Sequence, residues 1–363
     1  EAVKTTDGPL LILAGAGSGK TRVITVRIAY LITEQQVAPH NILAVTFTNK
    51  AAGEMRSRVE ELMKGQRLQS APLISTFHSL CVRILRQDID KLDEGYKKSF
   101  TIYDTDDSQK VVKACIKDLG LDEKQLAPRY VRNAISSAKN RGEDFEMFAA
   151  RAEQGDPKKA AIAKIFKMYD ERLHTANALD FDDLLIKTVQ LLRRSPETRE
   201  KYNERYKYIL VDEYQDTNAL QFALISFLTE KQQNICVVGD DAQSIYGFRQ
   251  ADIRNILGFE EHFKDAKVIL LEQNYRSTQT ILDVAHAIIE NNIHQKKKKL
   301  WTSNPGGERI FYYQAFDADG EARFIASKIE EHQRRSLNDR IAVLYRTNAQ
   351  SRLFEEALRR MRI

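Results

Sequence analysis

At 363 residues the chain is long enough for two or three domains, and 42% apolar and 29% charged residues fit a globular, soluble protein. The longest apolar runs are of strand length, so no transmembrane helix is expected, and the first residues do not read as a signal peptide. The net charge of +5, from 56 basic and 51 acidic residues, permits a nucleic-acid partner without pointing to one. Cys81, Cys115 and Cys236 are far apart and form no CxxC, which reads as buried free thiols in a reducing cytoplasm rather than as a metal site or disulfide.

In chain order, Leu10–Leu13 reads as a strand, followed by the Gly-rich turn Ala14-Gly15-Ala16-Gly17-Ser18-Gly19-Lys20-Thr21 and a helix over 21–31 with Ile24, Ile28 and Leu31 on one face. Residues 42–47 and 73–75 read as further strands. From about Asp88 to Ser195 the pattern turns helical and polar. Strand signals return at 208–211, 235–239 and 268–271. Lys20 and Asp212 lie too far apart for one uninterrupted nucleotide-binding core, so the simplest account is an α/β domain with a parallel sheet, interrupted by a helical insertion. The expected segments are 1–88, 89–195, 196–275 and 276–363, the last opening a second α/β domain with strands at 310–314 and 341–345 and a helix at 351–361. The run Lys296–Lys299 is either a solvated patch or a phosphate contact. Glu1 is not an initiator Met and no Gly or Pro punctuates the end at Ile363, so the chain is expected to be a piece of a longer protein.

The chemistry concentrates at two strand ends. Glycines let backbone N–H groups form a concave nest for a triphosphate, and the following helix adds its positive end. Lys20 is placed to neutralise phosphate oxygens, and the Thr21 hydroxyl to ligate Mg²⁺. The strict pattern has Gly where Ala14 stands. After the apolar run 208–211 come Asp212-Glu213-Tyr214-Gln215-Asp216: Asp212 suits the metal, Glu213 the attacking water. A third acidic turn, Gly239-Asp240-Asp241-Ala242-Gln243, either is a polar turn or presents Gln243 to the γ-phosphate or water. ATP and Mg²⁺ are the cofactors these residues call for.

Together with 46–52, 75–79, 179–184, 211–218, 239–249, 271–277 and 345–352, these motifs resemble, in order and along nearly the whole chain, the UvrD/Rep/PcrA family of superfamily 1 DNA helicases, the PcrA branch most of all. The resemblance implies two RecA-like domains (1A and the start of 2A) with ATP in their cleft, a helical insertion 1B facing the duplex, and ATP-driven 3′–5′ movement on single-stranded DNA and its junctions with duplex, in replication-associated repair. Replication or repair proteins would be its partners. It implies an ATP site that includes Arg22, Tyr275 stacked on adenine and Arg276 on the γ-phosphate, with Gln243 coupling nucleotide to DNA. It implies a DNA track of Thr46, Phe47, Asn49, His78, Tyr246, Phe248, Arg249, Arg346 and Asn348. Such a track makes physical sense, because a motor that ignores sequence must grip phosphate charge and the flat faces of bases. Phe47 also reads as core, His78 as a structural histidine, and Asp180, Asp182 and Asp183 as a helix cap.

The chain departs from the family in four places. The adenine-reading Gln would lie before Glu1, Phe248 stands where relatives often have Trp, and Gln250 replaces the usual Gly. The later motifs, among them a second γ-phosphate arginine, and domain 2B would lie after Ile363. Alternatives are the helicase subunit of a recombination helicase–nuclease, a DNA-binding module with a vestigial nucleotide site, and a non-motor P-loop phosphotransferase.

Overall fold

A computed structural model describes residues 1–66, 70–152, 156–293, 295–336 and 338–363; for Ala152 and Arg249 it describes the backbone only. Two compact units are present, Glu1–Gly306 and Gly307–Ile363.

The first unit is built on a six-stranded sheet. Its strands are β1 (Leu10–Ala14), β2 (Ile42–Thr46), β3 (Leu73–Thr76), β6 (Tyr208–Val211), β7 (Ile235–Gly239) and β8 (Lys267–Leu271), while β4 (Thr101–Tyr103) and β5 (Ala178–Asp180) form a separate parallel pair. The order is β3-β2-β6-β7-β1-β8, and every pairing is parallel. A parallel sheet needs cover on both faces, so β1, β6 and β7 are apolar throughout and β2 is apolar up to its last residue. The period of two then divides them. Leu11, Leu13, Leu43, Val45, Val211 and Val237 enter one core, and Leu10, Ile12, Ala44, Leu210 and Val238 enter the other. Each fully buried Leu or Ile contributes about 1.5–3 kcal/mol relative to exposure.

Helices α1 (Lys20–Thr33) and α2 (Asn49–Leu62) cover one face. On the other lie α3 (Phe77–Asp88), α8 (Phe181–Arg194), α9 (Pro196–Arg205), α10 (Ala219–Leu228) and the short α11 (Arg254–Leu257) and α12 (Phe259–His262). Between α3 and α8 the chain makes α4 (Thr105–Asp118), α5 (Pro128–Asn140), α6 (Phe145–Ala152) and α7 (Pro157–Thr175), which bury a core of their own around Val112, Ile135, Phe166 and Tyr169. This is the helical insertion. The capping expected of the 180–183 aspartates is present: Asp180 accepts from Asp183 N at 2.8 Å, and Asp183 accepts from Asp180 N at 3.1 Å, a capping box that starts α8. All three cysteines are buried free thiols. No helix among the described residues is long and apolar enough to cross a membrane.

Helix α13 (Gln279–Ile289) follows β8 in the first unit. The second unit packs α14 (Ala318–Arg335) on α15 (Asn348–Met361) through Ala322, Ala326, Phe354 and Ala357. The strands expected at 310–314 and 341–345 are absent: both stretches lack regular structure, and Phe311, Tyr312, Leu344 and Tyr345 are exposed. An apolar run becomes a strand only when a neighbour satisfies its backbone groups, and these two runs have no ladder partner among the described residues.

Candidate nucleotide and DNA site

In an open parallel sheet, ligands bind beyond the carboxyl ends of the strands. Here β6, β7, β1 and β8 are consecutive in the sheet, so the segments after them meet at one edge.

After β1 the loop turns through Gly17 (φ 72°) and Gly19 (φ 90°), left-handed positions that glycine adopts without strain, and enters α1 at Lys20. Gly15, Gly17, Ser18, Gly19, Lys20 and Thr21 are at least partly covered, whereas Ala16 and Arg22 face outward. Ala14 is the buried last residue of β1 and tolerates its methyl group there.

After β6, Asp212 is buried and its N–H bonds Val45 O at 3.0 Å. Burial, with the charge of Glu213 second, pushes its carboxyl up to about 6, opposed by Lys20 and by a hydrogen bond with the Thr21 side chain. Glu213 has left-handed backbone (φ 49°), a strained conformation for a non-glycine, and its Oε2 lies 3.3 Å from Lys20 Nζ. Thus Lys20, Thr21, Asp212 and Glu213 converge from two loops. One hydroxyl and one carboxylate, with no larger His/Cys/Asp/Glu group among the described residues, fit a Mg²⁺ that takes its remaining ligands from phosphate and water.

Gln215, which sequence reasoning did not single out, extends this cluster. Its Nε2 donates to Glu213 Oε2 at 2.9 Å, and its Oε1 accepts from Asp240 N at 3.0 Å. Asp240 in turn accepts from Gln243 Nε2 at 2.6 Å through Oδ2. A continuous polar path therefore joins Lys20 to Gln243. Its only sequence signal is a Gln inside the acidic motif.

After β8, Asn274 donates to Ala16 O, and Tyr275 N donates to Gly17 O at 3.0 Å. Asn274 Oδ1 also accepts from Arg276 N and Ser277 N. The turn carrying Tyr275 and Arg276 is thus fastened to the phosphate loop, with both residues exposed.

The expected DNA residues follow β2, β3 and β7. Thr46 is buried at the end of β2. Phe47 is half-buried, edge-on to Phe77 with centroids 5.5 Å apart, and Asn49 opens α2 exposed. His78 lies edge-on to Phe181, and burial lowers its pKa, favouring the neutral ring. Tyr246 and Phe248 are exposed with centroids 5.8 Å apart. The side chain of Arg249 lies outside the described residues. In the second unit, Arg346 N bonds Gln350 Oε1 at 2.9 Å and Asn348 begins α15. The β7 segment carries both Gln243 and the Tyr246–Phe248 pair, so it belongs to both halves of the edge.

Of the lysine run, Lys297 and Lys299 are exposed, as a solvated patch would have them, whereas the Lys298 side chain is largely covered against Asp240 and Asp241, and Lys296 pairs with Glu260.

The UvrD/REP helicase N-terminal domain matches residues 1–264, and the UvrD-like helicase C-terminal domain matches 269–363. This chain belongs to the UvrD/REP helicase family. It is 50% identical over its whole length to the ATP-dependent DNA helicase PcrA of Staphylococcus epidermidis, of which it spans 49%. It is also 50% identical to PcrA of Staphylococcus aureus, over 98% of the chain and 48% of that protein. The chain therefore spans about half the length of the curated relatives it matches.

Proposed function

We propose that the protein hydrolyses ATP to move 3′ to 5′ along single-stranded DNA and to separate duplex at junctions, acting in the cytoplasm in replication and repair. The observation that carries this is the shared β7 segment: Gln243 stands at the end of a polar path from Lys20, three residues before Tyr246. Family membership and the PcrA relatives support the same reading.

On this reading, ATP and Mg²⁺ supply the transferable phosphoryl group and its charge neutralisation. Lys20 holds the phosphates, and the backbone of 14–19 cradles them. Thr21 and Asp212 hold the metal. Glu213 takes the proton of the attacking water, and Arg276 and Gln243 read the γ-phosphate. Tyr275 offers its ring to the base of the nucleotide. Thr46, Phe47, Asn49, His78, Tyr246, Phe248, Arg249, Arg346 and Asn348 form the track, where aromatic faces stack on bases of any sequence. The segments 1–88 and 196–275 form 1A, 89–195 form 1B, and 276–363 open 2A.

Steady-state ATP hydrolysis by the full-length protein, with and without single-stranded DNA, and strand displacement on a 3′-tailed duplex test this. Strong DNA stimulation and ATP-dependent displacement are expected. Hydrolysis insensitive to DNA would instead favour a non-motor phosphotransferase.

A further inference from the structure

The segment Lys298–Trp301 runs as a strap across the site. Trp301 N donates to Glu272 O at 3.0 Å, Asn274 N donates to Trp301 O at 2.8 Å, and Lys299 N donates to Glu272 Oε1 at 3.0 Å. Leu300 lies so close over the phosphate loop that a methyl on Gly15 would meet its Cδ2 at 2.3 Å. At the head of the strap, Lys298 Nζ is 2.6 Å from Asp240 Oδ1 and also contacts Asp241 Oδ1. These side chains are 10%, 4% and 1% exposed, so this is a desolvated cluster and not a surface pair.

Asp240 has three tasks besides that contact. Its Oδ1 accepts from Ala242 N at 3.1 Å, its Oδ2 accepts from Gln243 Nε2 at 2.6 Å, and its N–H meets Gln215 Oε1. Two neighbouring buried carboxylates repel each other, and without the Lys298 ammonium Asp240 is no longer held in place. A turn of its carboxylate would release the Gln243 amide.

We propose that Lys298 is a positioning residue for coupling: by clamping Asp240 and Asp241 it fixes the carboxylate that orients Gln243, and through the strap it ties that orientation to the phosphate loop and to the Tyr275–Arg276 turn. The proposal rests on the reading of Gln243 given above. On this reading Lys298 acts through Asp240 and Asp241.

The test compares Lys298→Met, Lys298→Arg, Gln243→Ala and the Lys298→Met/Gln243→Ala double variant in the full-length protein. DNA-stimulated turnover, affinity for a fluorescent ATP analogue and melting temperature are measured for each. Lys298→Gln, which keeps a donor but loses the charge, replaces Lys298→Met if that variant does not fold. The expected result is a loss of DNA-stimulated kcat of at least about tenfold, the scale of a misplaced positioning group, with analogue affinity within a few-fold. Lys298→Arg should restore most of it, and the double variant should be no worse than Gln243→Ala. Full DNA stimulation in Lys298→Met or Lys298→Gln, or a defect that adds to that of Gln243→Ala, overturns the proposal. If Gln243→Ala itself leaves stimulation intact, the reading of Gln243 has failed, and the proposal falls with it.

Discussion

The carboxylate of Glu213 lies 3.3 Å from the ammonium of Lys20, so the residue assigned to the water and the residue assigned to the phosphates neutralise each other. A phosphate arriving at Lys20 competes with Glu213 for the same cation. Glu213→Gln removes that competitor and keeps the shape, but loses the base. A fluorescent ATP analogue should therefore bind as tightly as before or more tightly, while phosphate release nearly stops. Loss of binding as severe as the loss of turnover would make Glu213 a metal ligand or a structural residue.

Lys20→Ala should nearly abolish ATP hydrolysis, because the transferring phosphoryl group loses its fixed counter-charge. The assay is steady-state turnover at saturating single-stranded DNA. Activity within a few-fold of the unaltered protein would remove this loop from the mechanism.

Gln215→Leu keeps the volume of a buried side chain but cuts the path at its centre. Asp240 N–H then loses its partner, a cost of about 1–3 kcal/mol. Turnover should fall and DNA stimulation should fall further, because Glu213 and Asp240 no longer share a tether. A variant with a lowered melting temperature but an unchanged stimulation ratio would reduce Gln215 to a structural role.

Phe248 is 69% exposed and Phe47 is packed on Phe77, so these two of the aromatic candidates separate by stability. Phe248→Ala should weaken single-strand binding by roughly 1–3 kcal/mol, alike for different base sequences, with little change in melting temperature. Phe47→Ala should lower the melting temperature as well, since it opens a gap against the core. Titration of several oligonucleotides at one salt concentration decides it; unchanged affinity in Phe248→Ala would take that ring off the track.

The sheet and its phosphate loop were legible because the central strands, buried on both faces, are apolar along almost their whole length, and because Gly17 and Gly19 mark left-handed turns. The 180–183 aspartates were legible because capping is local. What escaped was non-local. β4 and β5 are three residues each, too short to show a period. Residues 310–314 and 341–345 have strand composition but no ladder partner among the described residues, and composition does not encode a partner. Lys298 reads as solvated because it sits in a run of lysines, and its carboxylates come from a turn far back in the chain.

The insertion is joined to the main core by a buried charge cluster that the sequence gives no hint of. Lys139 of α5 lies 3.1 Å from Asp170 of α7, 2.9 Å from Asp180 and 2.7 Å from Asp183 at the start of α8, and Tyr169 donates to Asp180 at 2.8 Å. Although burial opposes its charge, the three carboxylates hold the Lys139 pKa well above its usual value. Burial, then the charge of Asp180, pushes Asp183 up to about 7. Lys139→Met leaves these carboxylates buried without a cation and should cost about 3–5 kcal/mol near neutral pH. The sign of the pH dependence follows from the direction of the shift. A carboxyl whose folded pKa is raised holds its proton in the folded state after the unfolded state has released it, so stability falls as pH rises from about 4 to about 7. Removing Lys139 raises the remaining carboxyls further and steepens that fall. Urea midpoints at about pH 5.5 and about pH 8 should therefore differ more in Lys139→Met than in the unaltered chain, with the variant the more stable at the lower pH. A variant equally destabilised at both values would mean that Lys139 acts by packing against Phe166 and Tyr169 and not by its charge.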